Sequence, residues 1–330
     1  MSDPYQNIID TLTRSKRVMI TTHAKPDGDA LGSTAALVLG LRKKNIDAEM
    51  ILFGDLPRKY AFIYEEHGIN FHVVEPAWPQ ALVLADFDCL LVADTGTWSQ
   101  LPGLREKVEE WNVPKLVVDH HLTQEDWASH KLVVTTAAAA GEIVAELFER
   151  WGVALDVSMA TVLYVAIATD TGWFQFSNTQ PRTLRLAAKL MEAGVNTDRL
   201  YQLLYQNERS EKVALQARAL QSLELLGENR LAVMTIYQSD FKLTGASTAD
   251  TENLINIPLQ IATVEASIVL TESAPSEPIR VSLRSKGKID VARFAEQFGG
   301  GGHARAAGLK ISGEMQVARA RLVSEILRML

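Results

Sequence analysis

The chain lacks several features that mark specialised classes of protein. Its 330 residues include a single cysteine, Cys89, so no internal disulfide can form and a small buried side chain is expected there. No apolar run approaches the roughly 20 residues that a membrane-spanning helix needs. The first residues lack the basic and apolar segments of a secretory signal. We therefore expect a cytoplasmic protein with no membrane partner.

The chain also lacks an excess of positive charge. Its formal net charge is −7, whereas proteins that coat long nucleic acids bind by neutralising many phosphates. Long nucleic acid is therefore not the expected partner. The segment from Arg280 to Lys310 is a local exception, because its Lys and Arg outnumber its Asp and Glu by five. A short anionic substrate could bind to such a segment.

Strand and helix patterns alternate through the first half of the chain. Short apolar runs end near Thr22, Phe53, Ala93 and Val118, and helical patterns follow them. This alternation predicts an α/β fold with a parallel sheet, whose ligands bind beyond the C-terminal ends of the strands. Strand patterns return at Leu231 and predict a second, smaller α/β domain. The expected boundaries are 1–190 for the first domain, 191–228 for a helical connector and 229–330 for the second domain.

Acidic and histidine residues follow four apolar runs at their C-terminal ends. An aspartate before a glycine is usually a turn residue, but four such endings in one chain predict a divalent metal site. Gly28, inside the first of them, is expected to permit a backbone conformation that other residues resist. The four segments are His23-Ala24-Lys25-Pro26-Asp27-Gly28-Asp29, Asp94-Thr95-Gly96, Asp119-His120-His121 and Asp170-Thr171-Gly172.

The residue types in these segments indicate the metal and the reaction. Carboxylates and imidazoles without thiolates suit Mn²⁺ or Mg²⁺, with Zn²⁺, Fe²⁺ and Co²⁺ as alternatives. The acids exceed what one ion needs, so we expect two metals, about 3.5–4 Å apart, that share a carboxylate. Such a pair commonly hydrolyses phosphoesters.

A glycine-rich run near the C-terminus has two interpretations. Four glycines, Gly299 to Gly302, could present backbone N–H groups to a phosphate, or they could end the preceding helix. Four exceed what a helix end needs, so we favour phosphate binding, with His303 as a donor and Arg284 binding a terminal phosphate through two hydrogen bonds. Arg305 is a weaker candidate. The expected substrate-binding residues are Arg284, Gly300, Gly301, Gly302 and His303.

These segments resemble the motifs of the DHH phosphoesterase superfamily, and the glycine-rich run resembles the signature of the DHH-associated domain. The resemblance covers essentially the whole chain. It implies that 1–190 is a catalytic, metal-binding domain and that 229–330 binds substrate. It is closest to the branch that hydrolyses short oligoribonucleotides to 5′-mononucleotides and 3′-phosphoadenosine 5′-phosphate to AMP. A homodimer is plausible from this resemblance alone.

The resemblance also implies roles for individual residues. One metal would be held by His23, Asp27 and Asp94, and the other by Asp29, Asp94, His120 and Asp170, so Asp94 would bridge the two. Asp119 would support His120 by hydrogen bonding, and His121 would contact the scissile phosphate and help to protonate the leaving oxygen. We favour Mn²⁺, with Mg²⁺ or Co²⁺ as alternatives.

The sequence leaves three other functions open. Hydrolysis of linear or cyclic dinucleotides is the nearest enzymatic alternative, and hydrolysis of pyrophosphate or polyphosphate is a more distant one. A non-catalytic, nucleotide-binding regulator is a third. Trp173, Phe174 and Phe176 follow the last acidic segment and could stack on a base, but core packing is favoured for them.

Overall fold

A computed structural model of the chain describes residues 3–75, 77–274 and 277–330. The chain divides into two compact units, Met1–Asn207 and Glu208–Leu330. Each unit combines one sheet with helices, so the α/β fold class predicted from the sequence is confirmed. None of the helices in the described ranges is both long and apolar enough to span a membrane.

The first unit is built on a parallel sheet of six strands in the order β3-β2-β1-β4-β5-β6. The central strand β4 is buried along its whole length, which explains its continuous apolar sequence. Because the strands are parallel, their C-terminal ends meet at one edge of the sheet. The strands are β1 (Arg17–Thr21), β2 (Asp47–Leu52), β3 (Phe71–Val73), β4 (Cys89–Ala93), β5 (Lys115–Asp119) and β6 (His130–Val133).

Eight helices accompany this sheet in the described residues. They are α1 (Pro4–Arg14), α2 (Gly28–Lys43), α3 (Ala61–Glu65), α4 (Leu104–Val108), α5 (Ala140–Trp151), α6 (Val157–Asp170), α7 (Pro181–Glu192) and α8 (Thr197–Tyr205). Helices α2, α5 and α6 pack together beside the sheet, and their apolar side chains form much of the larger core. Asp170 is therefore the last residue of a helix, whereas the other three acidic segments follow strands.

Close helix packing, and not backbone freedom, explains Gly28. The structure does not give Gly28 a positive φ, so the expected special conformation is wrong. A Cβ at this position would lie 2.3 Å from Oγ1 of Thr169 on α6. Glycine is therefore needed because the start of α2 and the end of α6 approach each other too closely for any side chain.

The second unit contains a six-stranded sheet in the order β11-β12-β10-β9-β8-β7. Its strands pair antiparallel except for β8 and β9. Its apolar residues cluster with α11 and α12 on one face, and a smaller cluster includes residues of α9. The elements are α9 (Ser210–Gln221), β7 (Glu224–Leu226), β8 (Leu231–Ile236), α10 (Gln238–Thr244), β9 (Ala266–Thr271), β10 (Ile279–Ser285), α11 (Val291–Glu296), β11 (Gly301–His303), β12 (Ala306–Ile311) and α12 (Met315–Leu327).

Candidate active site

Asp94 lies at the centre of the acidic and histidine residues. It directly follows β4 and has a φ of 62°, which is unusual for a residue with a side chain. The side chain is only 3% exposed, and the backbone N–H donates to the carbonyl of Val118 at 2.9 Å. Strained residues of this kind persist where surrounding contacts hold them, and they are common at functional sites.

A first group of ligand atoms forms around Asp94, His23 and Asp27. Nε2 of His23 is 3.5 Å from Oδ2 of Asp94, and one atom from each of the three side chains lies within 4.8 Å of the others. Asp27 also caps α2, because its Oδ1 accepts from the N–H groups of Asp29 and Ala30. The helix start therefore fixes the Asp27 carboxylate beside the group.

A second group consists of Asp29, His120 and Asp170, with ligand atoms again within 4.8 Å of one another. Nε2 of His120 lies 3.8 Å from Asp29, 3.8 Å from Asp170 and 3.4 Å from Oδ1 of Asp94. The other ring nitrogen, Nδ1, is 3.3 Å from the carbonyl of Ala137. A proton on Nδ1 would leave Nε2 free to bind a cation, which is the usual arrangement of a metal-ligating histidine.

Asp29 has a structural role besides its place in the second group. Its carboxylate accepts hydrogen bonds from the N–H groups of Ala140 and Gly141 at 2.6 and 2.9 Å, and from the hydroxyl of Ser33 at 2.9 Å. These two N–H groups belong to the first turn of α5, where a negative charge is favoured. Asp29 therefore joins α2 to the start of α5.

The electrostatics of these groups suit a bound cation. Burial and the charges of Asp94 and Asp170 raise the pKa of Asp29 well above its usual value, and burial also raises that of Asp170 to about 6. Burial lowers the pKa of His120, but the close Asp94 carboxylate and the charges of Asp29 and Asp170 outweigh this and raise the value to about 10. These shifts reflect negative charge crowded into a partly buried space, and a bound cation would neutralise it.

An unsatisfied atom points to the same conclusion. Oδ1 of Asp94 is buried and has no hydrogen-bond partner among the described residues, although buried polar atoms are nearly always paired. A divalent cation bound between the two groups would satisfy it. The oxygen and imidazole donors present are those that Mn²⁺ and Mg²⁺ accept, so the residues fit the expected metals.

Asp119 supports a different histidine from the one expected. Its buried Oδ1 accepts from Nδ1 of His121 at 2.8 Å. The same oxygen accepts a hydrogen bond from the backbone N–H of His120 at 2.7 Å, but the His120 ring lies against the carbonyl of Ala137. Asp119 thus contacts His120 by a hydrogen bond, as expected, but the ring that it holds is that of His121. His121 is 55% exposed, and the hydrogen bond with Asp119 is the main reason that its pKa is raised.

Gln124, which no sequence motif predicted, completes the hydrogen bonds around Asp119 and His121. Its Nε2 donates to Oδ2 of Asp119 at 2.5 Å and to the carbonyl of His121 at 3.2 Å. A Cβ on Gly96 would lie 1.8 Å from Oε1 of Gln124, so glycine at that position makes room for the amide. A glutamine in a polar loop carries no sequence signal for such a role.

In the second unit, Arg284 and His303 share one face of the sheet. Both are paired in register with Ala306, so their side chains point the same way and neighbouring Cβ atoms lie about 5 Å apart. Arg280 pairs with Lys310 further along this face, while alternate residues of β10 are buried on the other. The structure therefore places four of the positive or polar side chains of this segment on one face, namely Arg280, Arg284, His303 and Lys310.

The glycine-rich run divides into two parts. The N–H groups of Gly299 and Gly300 donate to the carbonyls of Glu296 and Ala295, and so they end α11. The next three residues, Gly301–His303, form the exposed edge strand β11. The expectation of phosphate binding by four consecutive N–H groups is thus wrong for the first two, and it now depends on Gly301, Gly302 and His303.

Sequence comparison places both units in known families. Residues 17–167 match the N-terminal domain of the DHH family, and residues 230–328 match the DHHA1 domain. The chain is 30% identical over 307 residues to the bifunctional oligoribonuclease and PAP phosphatase NrnA of Thermus thermophilus, covering 90% of this chain and 84% of that protein. It is 27% identical over 310 residues to the cyclic-di-AMP phosphodiesterase PdeA of Listeria monocytogenes, covering 90% of this chain and 45% of that protein.

A solved structure has the same fold. The crystal structure of an exopolyphosphatase-related protein from Bacteroides fragilis superposes with a TM-score of 0.85 at 23% identity, covering 98% of this chain and 95% of that one. Fold, site and relatives together define a hydrolase that acts on phosphoester bonds. The chain belongs to the DHH family.

Proposed function

We propose that this protein is a metal-dependent phosphoesterase that hydrolyses short oligoribonucleotides to 5′-mononucleotides and 3′-phosphoadenosine 5′-phosphate to AMP. The bond broken in both substrates joins phosphorus to the ribose O3′, so one site can serve both reactions. The observation that supports the proposal most is the position of Asp94, which faces His23 on one side and His120 on the other. The NrnA relative is named for the same two activities, oligoribonuclease and PAP phosphatase.

The two groups of ligand atoms would hold two divalent cations. Mn²⁺ is the favoured ion, with Mg²⁺ and Co²⁺ as alternatives. Bound cations supply water activation and stabilisation of negative charge on the phosphate. His23, Asp27 and Asp94 would hold one of them, and Asp29, Asp94, His120 and Asp170 the other.

His121 is proposed to donate a proton to the leaving O3′. Asp119 holds Nδ1 of this histidine, so Nε2 is the nitrogen that remains for the substrate. The side chain is half-exposed, which allows contact with a bound phosphate. Asp119 also favours the protonated ring, because it stabilises the positive charge. Water adds to phosphorus, the P–O3′ bond breaks, and the ribose leaves with a 3′-hydroxyl.

The positive face of the second unit is proposed to bind an anionic group of the substrate. Arg284 can donate two hydrogen bonds to one phosphate, and His303 lies on the same face. Gly301 and Gly302 keep the neighbouring edge strand free of side chains. A few positive groups suit a short substrate, since long polymers need many phosphate contacts.

Hydrolysis of linear or cyclic dinucleotides is the second candidate, favoured by the likeness to PdeA. A non-catalytic, nucleotide-binding regulator is the alternative from another class. The cluster of ligand atoms argues against it, because nucleotide binding alone would not need four carboxylates so close together, two of them buried.

The test is to purify the protein with Mn²⁺ and offer it labelled di- to decaribonucleotides, 3′-phosphoadenosine 5′-phosphate and cyclic dinucleotides. We expect release of 5′-mononucleotides from the shortest RNAs and AMP from the bisphosphate. A preference for cyclic dinucleotides would support the second candidate. If metal-loaded protein bound nucleotide but turned over none of these compounds, the enzymatic proposal would be wrong.

A further inference from the structure

The three aromatic residues that follow Asp170 occupy different environments. Trp173 and Phe174 pack against Tyr164, with ring centroids 5.9 and 5.7 Å apart, as expected of core residues. Phe176 differs, because 59% of it is exposed to solvent. Core packing therefore explains the first two rings and leaves the third without a structural reason.

The backbone of this loop is held firmly. The N–H of Phe176 donates to the carbonyl of Thr171 at 2.9 Å, and that of Trp173 donates to the carbonyl of Ala168 at 2.6 Å. Trp173 and Phe174 have φ values of 59° and 66°, which are costly for aromatic residues. Their packing against the core maintains this conformation, so the position of Phe176 is set before any ligand binds.

Two further contacts place the Phe176 ring beside the candidate active site. A Cβ on Gly172 would lie 2.4 Å from Cζ of Phe176, so the ring lies against the loop backbone two residues after Asp170. Nδ2 of Asn178 donates to the carbonyls of Asp170 and Ala138, each at 3.1 Å. Both ends of the loop are thus attached near the second group of ligand atoms.

We propose that Phe176 is a stacking surface for a nucleobase of the substrate, next to the phosphoester that is cleaved. This inference rests on the proposed function. A phenyl ring offers a flat apolar face without hydrogen-bonding groups, so it would hold any base and select none. Because the ring is already in position, little conformational entropy is lost on binding.

The experiment compares a diribonucleotide with two analogues that carry an abasic ribose at the 5′ or the 3′ position. The variants are Phe176→Ala, Phe176→Leu and Phe176→Tyr, with Leu184→Ala as an exposed apolar control on α7. We expect Phe176→Ala to raise KM for the diribonucleotide about 10-fold, within the range for base–aromatic stacking. The wild-type preference for the intact substrate over one abasic analogue should disappear in this variant.

The conservative variants distinguish stacking from simple apolar contact. Phe176→Tyr should behave like wild type, and Phe176→Leu should resemble Phe176→Ala. A wild-type KM in Phe176→Ala or in Phe176→Leu would overturn the stacking role while leaving the proposed function intact. If Phe176→Ala lost the same activity on both abasic analogues as on the intact diribonucleotide, the stacking role would also be wrong. An inactive wild-type protein would instead overturn the proposed function.

Discussion

Gln124 donates a hydrogen bond of 2.5 Å from Nε2 to Oδ2 of Asp119, the buried carboxylate that holds His121. Asp119 is fully buried and its Oδ1 already accepts from His121 and from two backbone N–H groups. Gln124 therefore supplies the donor that Oδ2 needs, and it acts on the substrate only through His121.

Gln124→Ala is expected to lower kcat by about 10- to 100-fold, as losses of such supporting groups do, with a smaller change in KM. Gln124→Glu should be more severe, because it places a second carboxylate against Asp119. Steady-state kinetics with a dinucleotide measure both effects, and Gln202→Ala on α8 is a matched control. Wild-type kcat in Gln124→Ala would show that Asp119 does not need this donor.

Gly96→Ala should reproduce the defect of Gln124→Ala. The new methyl group would occupy the place of the Gln124 amide and displace it from Asp119. If both changes act on one hydrogen bond, the double variant will be no worse than either single variant. Additive losses in kcat would indicate separate effects.

Asp94→Ala is expected to reduce kcat by about 1,000-fold or more, since the two proposed cations would share this carboxylate. Its removal would weaken the binding of both and cost several kcal/mol of transition-state stabilisation. Metal content, measured by mass spectrometry after gel filtration, should fall in parallel. Asp126→Ala removes an exposed carboxylate and should change neither quantity. Full activity in Asp94→Ala would exclude the bridging role.

Asp29 and Asp170 should differ in their effects on the metal-free protein. Asp29→Ala leaves the N–H groups of Ala140 and Gly141 unpaired, at a cost of about 1–3 kcal/mol for each buried group. Asp170 has no hydrogen bond to its carboxylate from the described residues, so Asp170→Asn removes a charge without leaving a buried donor unpaired. With a chelator at pH 8, we expect Tm to fall for Asp29→Ala and to rise for Asp170→Asn, because burial and nearby carboxylates disfavour the Asp170 charge more than His120 favours it.

The pH dependence of the metal-free protein follows from the raised pKa of Asp170, about 6 when folded. Between about pH 4 and 6 the folded state binds more protons than the unfolded state, so this contribution to stability falls as pH rises through that window. The stabilising effect of Asp170→Asn should therefore vanish near pH 4. Thermal denaturation from pH 4 to 8, with Mn²⁺ or a chelator, tests this, and Mn²⁺ should raise Tm of the wild type at pH 8.

Arg284→Ala should raise KM about 10-fold or more, as expected when a charged hydrogen bond to phosphate is lost, while metal content stays normal. Arg293→Ala on α11 removes an exposed arginine from the same unit and serves as the control. An unchanged KM in Arg284→Ala would show that Arg284 does not contribute to substrate binding.

Several parts of the fold and site could be predicted because they depend on residue type and local order. Apolar runs with β-branched residues predicted the parallel sheet, and the polar residues after them predicted a cluster, because parallel strands end at one edge. His23, Asp94 and His120 meet there for that reason. Asp170 joins them from the end of a helix.

The order of residues is enough to predict which chemical groups come together, because the hydrophobic pattern marks the strands and shows which polar residues follow them. The contacts that each group makes are visible only in the folded structure. Asp29 also joins α5, Asp119 holds His121 and not the ring of His120, and Phe176 stays exposed. These outcomes depend on hydrogen bonds and close approaches between separate segments, which no local pattern records.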